Sequence, residues 1–265
     1  VMPDGRTLQV ASVHHYRDQW ARAFDITYED TSGNQQYVHQ TTYGMSERLL
    51  GAIVASHGDD KGLVMPPPVA PIQVVVIPII SKGDSSDVIS ESDRITSELK
   101  SAGIRVRLDS RDIRPGQKYY DWEIKGVPLR IEIGPRDLAN NSIMCVRRTG
   151  GKKSHSVNNL VDAVRSELDI VGEEMKQQSS DHFNSRIKTL PAFTIDGTDL
   201  VLDQAIEKGT VYEMAFDGND AEAEMIEKDT DLSFLGDSTT AYKKKVPCVI
   251  TGKPTTRRIF LAKPY

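Results

Sequence analysis

The 265-residue sequence has few cysteines and no long apolar run, and each scarcity excludes a class of protein. Its longest apolar stretch, residues 74–80, is interrupted at Pro78 and is far shorter than the roughly 18 residues that a membrane span needs. The two cysteines, Cys145 and Cys248, cannot form a disulfide framework or a complete metal-binding set. The amino-terminal residues VMPDGRTLQV lack the basic start and apolar core of a secretory signal. These absences predict a cytoplasmic protein without a membrane segment.

The net charge of −5 is the sum of two regions of opposite sign. Residues 105–153 contain twelve basic and six acidic residues, a local charge of +6, whereas the rest of the chain has a net charge of −11. A basic patch on an acidic body suits contact with nucleic-acid phosphates. The same count also fits a surface that is merely solvated by arginine and lysine, so charge alone leaves both interpretations open.

Turn signals and hydrophobic periodicity divide the chain into three blocks. Residues 7–65 read as strands followed by one helix that opens near residue 46, and the proline run 66–68 marks a boundary. The second block, about residues 69–169, alternates as β-α-β-α-β-β-α, which predicts a compact α/β domain with a mixed sheet and a flexible basic turn at 150–153. The remaining residues show short strands around an acidic stretch, as in a small α+β domain.

Two strings in these blocks are specific enough to indicate a family. Residues 40–79 read QTTYGMSERLLGAIVASHGDDKGLVMPPPVAPIQVVVIPI, and residues 107–138 read RLDSRDIRPGQKYYDWEIKGVPLRIEIGPRDL. Together they closely resemble prolyl-tRNA synthetases of the archaeal and eukaryote-like type. The first string resembles class II motif 3 with the link into the anticodon-binding domain, and the second resembles the centre of that domain. The ending AKPY is also similar to that of the family.

The resemblance implies a fold that combines α+β and α/β parts. Residues 1–68 would be the end of the class II antiparallel catalytic sheet, residues 69–170 a mixed-sheet α/β anticodon-binding domain, and residues 171–265 a small α+β terminal domain. The family builds its catalytic sheet from motifs 1, 2 and 3, and this sequence starts just before motif 3. We therefore expect a carboxy-terminal portion that is inactive by itself, and a homodimer in the full-length enzyme.

Four residues match family contacts to ATP, namely Gln9, Ser12, Ser46 and Arg48. Arg48 matches the motif 3 arginine that holds the γ-phosphate, and it is the expected catalytic residue because cations stabilise the charge that spreads over the phosphates. Ser46 stands at the helix start, where it can cap the helix or donate to the nucleotide. The match at Gln9 also implies Mg²⁺ bound together with ATP.

Residues 8–26, LQVASVHHYRDQWARAFDI, resemble a family segment of equal length that lies beside the amino acid. His14 matches a histidine next to bound proline, although a plain core or surface role is also open for it. Ser12 keeps the hydroxyl of the threonine that it replaces. Ala11 and Val13 depart from the family pattern, and they leave the details of the proline pocket undetermined.

The second string has the residue types that read a single-stranded anticodon ending in two guanines. Arginine and lysine donate to guanine O6 and N7, and a carboxylate accepts from its N1 and N2. Ion pairing at a helix end is an equally open role for Glu123 and Lys125. The residues expected near the tRNA anticodon are Arg111, Arg114, Lys118, Glu123, Lys125 and Arg136.

Many relatives hold zinc in the terminal domain through four cysteines, and here those positions read Asp217, Glu222, Cys248 and Thr251. One thiolate with two carboxylates and a hydroxyl is a poor structural zinc site, so we expect no zinc. An apolar core is expected to stabilise the domain instead, from Val211, Phe216, Met225, Phe234, Leu235 and Phe260.

The resemblance thus implies a ligase that activates proline with ATP to prolyl-adenylate and transfers it to the 3′ end of tRNA(Pro). The altered stretch 11–13 leaves one alternative open, a non-catalytic tRNA-binding or regulatory paralogue of the synthetase.

Overall fold

The computed structural model describes residues 1–80, 86–197 and 199–265. In space the chain forms two compact units. The composite unit combines Val1–Ile53 with Ile187–Tyr265, and the middle unit is Val54–Arg186. The division into three functional domains at 68/69 and 170/171 stays a prediction. No helix in the described ranges is long and apolar enough to cross a membrane.

The amino-terminal part of the composite unit is built on an antiparallel strand pair, followed by a helix. Its elements are β1 (Ala11–Arg17), α1 (Gln19–Ala23), β2 (Thr27–Glu29), β3 (Gln35–Tyr37), β4 (Gln40–Met45) and the first residues of α2 (Arg48–His57), whose last four residues are counted with the middle unit. Strand β1 pairs with β4, and β2 pairs with β3, both antiparallel. Helix α2 begins at Arg48, just after the predicted start, and contains no fully buried residue.

The middle unit is a five-stranded mixed sheet with helices on both faces. Its elements are β5 (Val74–Pro78), α3 (Ser86–Ser101), β6 (Val106–Leu108), α4 (Pro115–Ile124), β7 (Leu129–Ile133), α5 (Pro135–Ala139), β8 (Ser142–Arg147), β9 (Lys152–Ser156) and α6 (Leu160–Ser185). The strand order is β6-β5-β7-β8-β9. Strand β5 runs parallel to β6 and β7, whereas β8 and β9 are antiparallel additions.

The alternation of side chains along β5 explains why both faces of this sheet are covered. Val74 and Val76 pack in the cluster that includes α3 and α6, whereas Val75 and Ile77 pack against Trp122 of α4. Successive residues of a strand point to opposite faces, so a strand of apolar residues needs helices on both. The predicted order of elements is observed, with two corrections: α5 was not predicted, and Lys152 and Lys153 begin strand β9 instead of lying in a flexible turn.

The carboxy-terminal part of the composite unit is a four-stranded sheet with one helix. Its elements are β10 (Ile187–Thr189), β11 (Phe193–Asp196), β12 (Asp199–Leu202), β13 (Val211–Ala215), α7 (Asp220–Thr230), β14 (Ser233–Asp237), β15 (Val246–Pro247), β16 (Pro254–Thr255) and β17 (Arg258–Ala262). The sheet order is β10-β13-β17-β14. Tyr212, Met214, Ile226 and Leu261 are at its core, whereas Leu235, one of the predicted core residues, is 44% exposed.

A short segment after α2 lies backbone to backbone against the end of α4. The Leu63 amide donates to the Ile124 carbonyl at 3.0 Å, and the Met65 amide donates to the Gly126 carbonyl at 3.2 Å. Gly126 has a φ of +70°, and a Cβ there would lie 2.7 Å from the Leu63 Cβ and 2.8 Å from its carbonyl carbon. Glycine is therefore required at this position for conformation and for space.

Replacing Gly126 by alanine should destabilise the middle unit more than the same change at Gly103. Both glycines have positive φ, +70° and +80°, but a Cβ at Gly103 would meet nothing within 4 Å. We expect a loss of about 1–2 kcal/mol at Gly103 from the backbone alone, and about 1–3 kcal/mol more at Gly126 from the clash. Urea unfolding of the two variants measures the difference, and equal losses would contradict the close approach.

Candidate functional site

An open cleft of about 270 Å³ lies where β1 and α2 begin, and its lining residues are Gln9, Val10, Ala11, Ser12, Gly44, Met45, Ser46 and Arg48. The pairing of β1 with β4 creates it, because Ser12 is opposite Gly44 in the register. The four residues predicted to bind ATP are therefore brought together by the fold. No carboxylate is among these lining residues, so the cleft is suited to an anion.

Hydrogen bonds within the cleft involve four of its side chains. The Arg48 Nη1 donates to the Gln9 carbonyl at 3.1 Å, and the Gln9 Nε2 donates to the Ser12 Oγ at 2.7 Å. The Ser46 Oγ accepts from the Arg48 amide at 3.3 Å, which makes it a cap of α2. The exposed guanidinium thus stands at a helix amino terminus, where the backbone amides add positive potential.

His14 lies on β1 two residues after Ser12, on the same face of the strand, but it does not line the cleft. Its ring is exposed and stacks on Tyr16 with 5.4 Å between the centroids. The structure thus places the residue predicted to contact proline beside the cleft and leaves its ring accessible.

Five of the predicted anticodon residues separate into two groups, one toward each end of α4, whereas Arg136 lies on α5. At the amino end Asp109 is buried and accepts hydrogen bonds from Arg111 Nη2 and from Trp122 Nε1, both at 2.7 Å. Burial by itself raises the pKa of Asp109, but these hydrogen bonds outweigh it and hold the pKa at about 2. Lys118 is 2% exposed and donates to the Asp109 carbonyl at 3.1 Å, so it supports this loop from inside. Arg114 and Arg136 are exposed.

At the other end of α4, Glu123 belongs to a polar group on the sheet that we call the Arg130 face: Tyr119, Glu123, Arg130, Glu132 and Lys152. Arg130 lies 3.6 Å from the Glu123 carboxylate and 3.0 Å from that of Glu132, and Lys152 lies 3.0 Å from Glu132. The Arg130 guanidinium also stacks 3.9 Å above the Tyr119 ring. Lys125, the helix cap, covers Trp122 with its ammonium 4.6 Å from the ring centroid.

The strand register explains why these side chains meet. Arg130 is opposite Val146, which is opposite Lys152, and paired residues on neighbouring strands share a face. Burial, together with the charge of Glu132, raises the pKa of Tyr119 to about 12, so its hydroxyl stays protonated at neutral pH. Carboxylate acceptors, cationic donors and an aromatic ring at one partly exposed place can bind the edge and face of a guanine base.

Sequence reasoning missed Tyr119, Arg130 and Glu132 as site residues. In the segment 129–133, LRIEI, two charged residues alternate with apolar ones. Residues two positions apart on a strand lie on the same face, so this alternation places Arg130 and Glu132 together. The alternation was the signal in the sequence that indicated a shared polar face.

Hydrogen bonds within the protein engage the side chains of Cys248 and Glu222, two of the four positions at which the resemblance implies a zinc site. The Cys248 Sγ accepts from the Asp217 amide at 3.2 Å and from the Thr251 amide at 3.5 Å. The Glu222 carboxylate accepts from the Asn219 amide at 2.8 Å, as part of the cap of α7. Burial alone raises the pKa of the Cys248 thiol, but hydrogen bonds from Thr251 and Asp217 lower it overall. In the described part of the chain no three His, Cys, Asp or Glu residues are grouped to hold a metal, and this donor set does not fit a structural zinc site.

Known proteins are similar to this chain over residues of both the middle unit and the composite unit. Residues 73–167 match the model of the family described as anticodon binding domain. The chain is 44% identical over 257 residues to the proline–tRNA ligase of Methanocorpusculum labreanum, covering 96% of this chain and 52% of that protein. The corresponding values for the Thermococcus kodakarensis proline–tRNA ligase are 44% over 258 residues, 96% and 53%.

A solved structure is also similar to this chain. The Giardia lamblia prolyl-tRNA synthetase in complex with prolyl-adenylate is similar with a TM-score of 0.86 and 29% identity, covering 100% of this chain and 57% of that one. The chain thus spans about half the length of the proteins that it matches. The predicted resemblance to archaeal-type prolyl-tRNA synthetases, and the fold class that it implied, are confirmed.

The carboxy-terminal part of the composite unit should fold without zinc, because hydrogen bonds already engage the Cys248 sulfur. We expect a chelator to leave the melting temperature unchanged. Cys248→Ala should lower stability by about 1–3 kcal/mol, since two amides in partly buried hydrogen bonds lose their acceptor, and Cys248→Ser should lose less. Stoichiometric zinc that survives dialysis, or unfolding by the chelator, would contradict this prediction.

Proposed function

We propose that this chain, whose sequence resembles archaeal-type prolyl-tRNA synthetases over nearly its whole length, is the carboxy-terminal part of a proline–tRNA ligase. The complete enzyme activates proline with ATP to prolyl-adenylate and transfers the prolyl group to the 3′ end of tRNA(Pro). The observation that carries the proposal is the convergence of Gln9, Ser12, Ser46 and Arg48 on one cleft, in a chain 44% identical to proline–tRNA ligases. In the same proposal the complete enzyme is cytoplasmic and forms a homodimer.

Arg48 is the residue that binds the ATP phosphates in this proposal. Attack of the proline carboxylate on the α-phosphate increases the negative charge on the phosphates, so a cation held in place beforehand lowers the barrier. The Gln9 carbonyl holds Nη1 of Arg48, and this exposed side chain lines the cleft, where its other N–H groups can donate to phosphate oxygens. Gln9 and Ser12 offer neutral oxygens that can add to the shell of an ATP-bound Mg²⁺, but the cleft residues do not form a magnesium site by themselves.

The middle unit recognises the anticodon in this proposal, with the Arg130 face as the base-binding surface. Glu123 accepts from N1 and N2 of an anticodon guanine, and Lys152 and Arg130 donate to its O6 or N7. The exposed Arg114 and Arg136, with Arg111, lie at the ends of parallel strands β6 and β7 and contact phosphates of the loop. Lys118 is a support of that loop, and Lys125 stabilises the end of α4 through Trp122.

Arg48→Ala in the full-length enzyme should reduce proline-dependent ATP–pyrophosphate exchange by at least about 100-fold, because a charged transition-state contact contributes about 3 kcal/mol or more. Arg257→Ala is the matched control, since Arg257 pairs with Asp237 away from the cleft. Near-normal exchange in the Arg48 variant would contradict the phosphate role. Absence of exchange in the unaltered enzyme would favour the non-catalytic paralogue.

Glu123→Gln should relax the recognition of guanine in the anticodon. The assay compares the Kd values of this chain for a proline anticodon stem-loop and for the same RNA with inosine, which lacks the 2-amino group, at one guanine. A hydrogen bond to a charged acceptor contributes about 1.5–3 kcal/mol, so we expect the inosine RNA to bind about 10-fold or more weakly, and the variant to lose most of that difference. Glu173→Gln, an exposed change on α6, is the control. An unchanged ratio in the Glu123 variant would refute the base contact.

A further inference from the structure

Arg148, directly after β8, joins three separate segments of the middle unit. Its side chain is 3% exposed. Nη1 donates to the Asp59 carboxylate at 2.8 Å, and Nη2 donates to the same carboxylate. Nη2 also approaches the Gly62 carbonyl at 3.4 Å, and Nε donates to the Glu123 carbonyl at 3.3 Å. A planar guanidinium can satisfy these acceptors together, which an ammonium cannot.

The carboxylate partner is held in a closed turn that follows α2. Asp59 and Gly62 exchange backbone hydrogen bonds at 3.0 Å each, and the Lys61 amide donates to the Asp59 Oδ1 at 2.9 Å. Hydrogen bonds from Arg148 hold the pKa of Asp59 at about 2, so the pair is fully charged at neutral pH. Asp59 is itself 46% exposed, which means that its replacement changes little apolar packing.

Glu123 is linked to this arrangement through its backbone carbonyl, which accepts from Arg148 Nε and from the Gly126 amide. Its side chain has one ion-pair contact in the described part of the chain, at 3.6 Å from Arg130, which is long for a hydrogen bond. Its backbone, by contrast, is fixed through the carbonyl that accepts from Arg148 Nε and through the neighbouring Ile124 carbonyl bound to Leu63. The direction in which the Glu123 carboxylate points is therefore set mainly by the backbone at the end of α4.

We propose that Arg148 and Asp59 are positioning residues for base recognition, which fix the end of α4 so that Glu123 meets the guanine edge. The inference rests on the proposed anticodon role of the Arg130 face. Neither residue touches RNA in this scheme. Arg148 acts through the Glu123 backbone, to whose carbonyl its Nε donates. Asp59 acts by holding the Arg148 guanidinium in the orientation in which Nε reaches the Glu123 carbonyl.

The test uses the guanine and inosine stem-loops with the variants Asp59→Asn and Arg148→Lys. Asp59→Asn keeps the shape and removes the charge, and Arg148→Lys keeps the charge and removes the planar fork. We expect both to reduce the preference for guanine over inosine from about 10-fold or more to less than about 3-fold, a loss consistent with one misplaced charged hydrogen bond. Arg94→Ala, which removes a surface arginine paired with Glu91 and Glu98 on α3, should keep the wild-type preference.

Two further readouts separate positioning from general stability. Circular dichroism and urea unfolding of Asp59→Asn identify the folded fraction, and the slope of binding against salt reports the phosphate contacts. A folded Asp59→Asn variant with an unchanged salt slope and a lost guanine preference supports the inference. A folded variant that keeps the preference overturns it. If the unaltered chain shows no guanine preference, the proposed anticodon role of Glu123 fails instead.

Discussion

The central strand β5 constrains the whole middle unit because all five of its residues are buried. A strand in this position needs hydrogen-bonded neighbours on both sides and helices on both faces. Each apolar side chain left exposed would lose about 1.5–3 kcal/mol of the stabilisation that its burial provides. Strands β6 and β7 supply the neighbours, α3 and α6 cover one face, and α4 covers the other. The position of α4 follows from this demand, and the proposed tRNA contacts Arg114 and Glu123 lie at its two ends.

Helix α4 covers only part of its face of the sheet, and the Arg130 face occupies the adjoining part. Val75 and Ile77 lie beneath the helix, whereas Arg130 and Glu132 come from the next strand on the same side. The neighbouring carboxylates neutralise Arg130, which is 14% exposed, so the charge can be kept near the core. The groups proposed for base recognition and the core residues are thus alternate residues of the same strands.

Much of the fold was predictable from the sequence because the relevant signals are local. The apolar run 74–80 and the serine before Arg48 predicted β5 and the start of α2 to within a few residues. The grouping of Gln9 with Arg48 was available only through the resemblance, because 39 positions separate them and no periodic pattern joins them. The burial of Lys118 was not predictable, because it depends on a hydrogen bond from its ammonium group to a backbone carbonyl nine residues away. Lysine is usually exposed, so the residue type favoured a surface position for Lys118.

The composite unit has a topological consequence, because its two parts are separated by the whole middle unit, Val54–Arg186. Thr7 pairs with Lys263 and Tyr265 through backbone hydrogen bonds of 3.0 and 3.1 Å, contacts that connect nearly the two ends of the chain. The middle unit is continuous in sequence and can fold before Lys263 and Tyr265 are synthesised, whereas the hydrogen bonds of Thr7 with these two residues cannot form until then. Contacts of such long sequence separation also form slowly, because loop closure precedes any gain from packing. The hydrogen bonds between Thr7 and the residues after β17 are therefore expected to form later than the contacts within the middle unit.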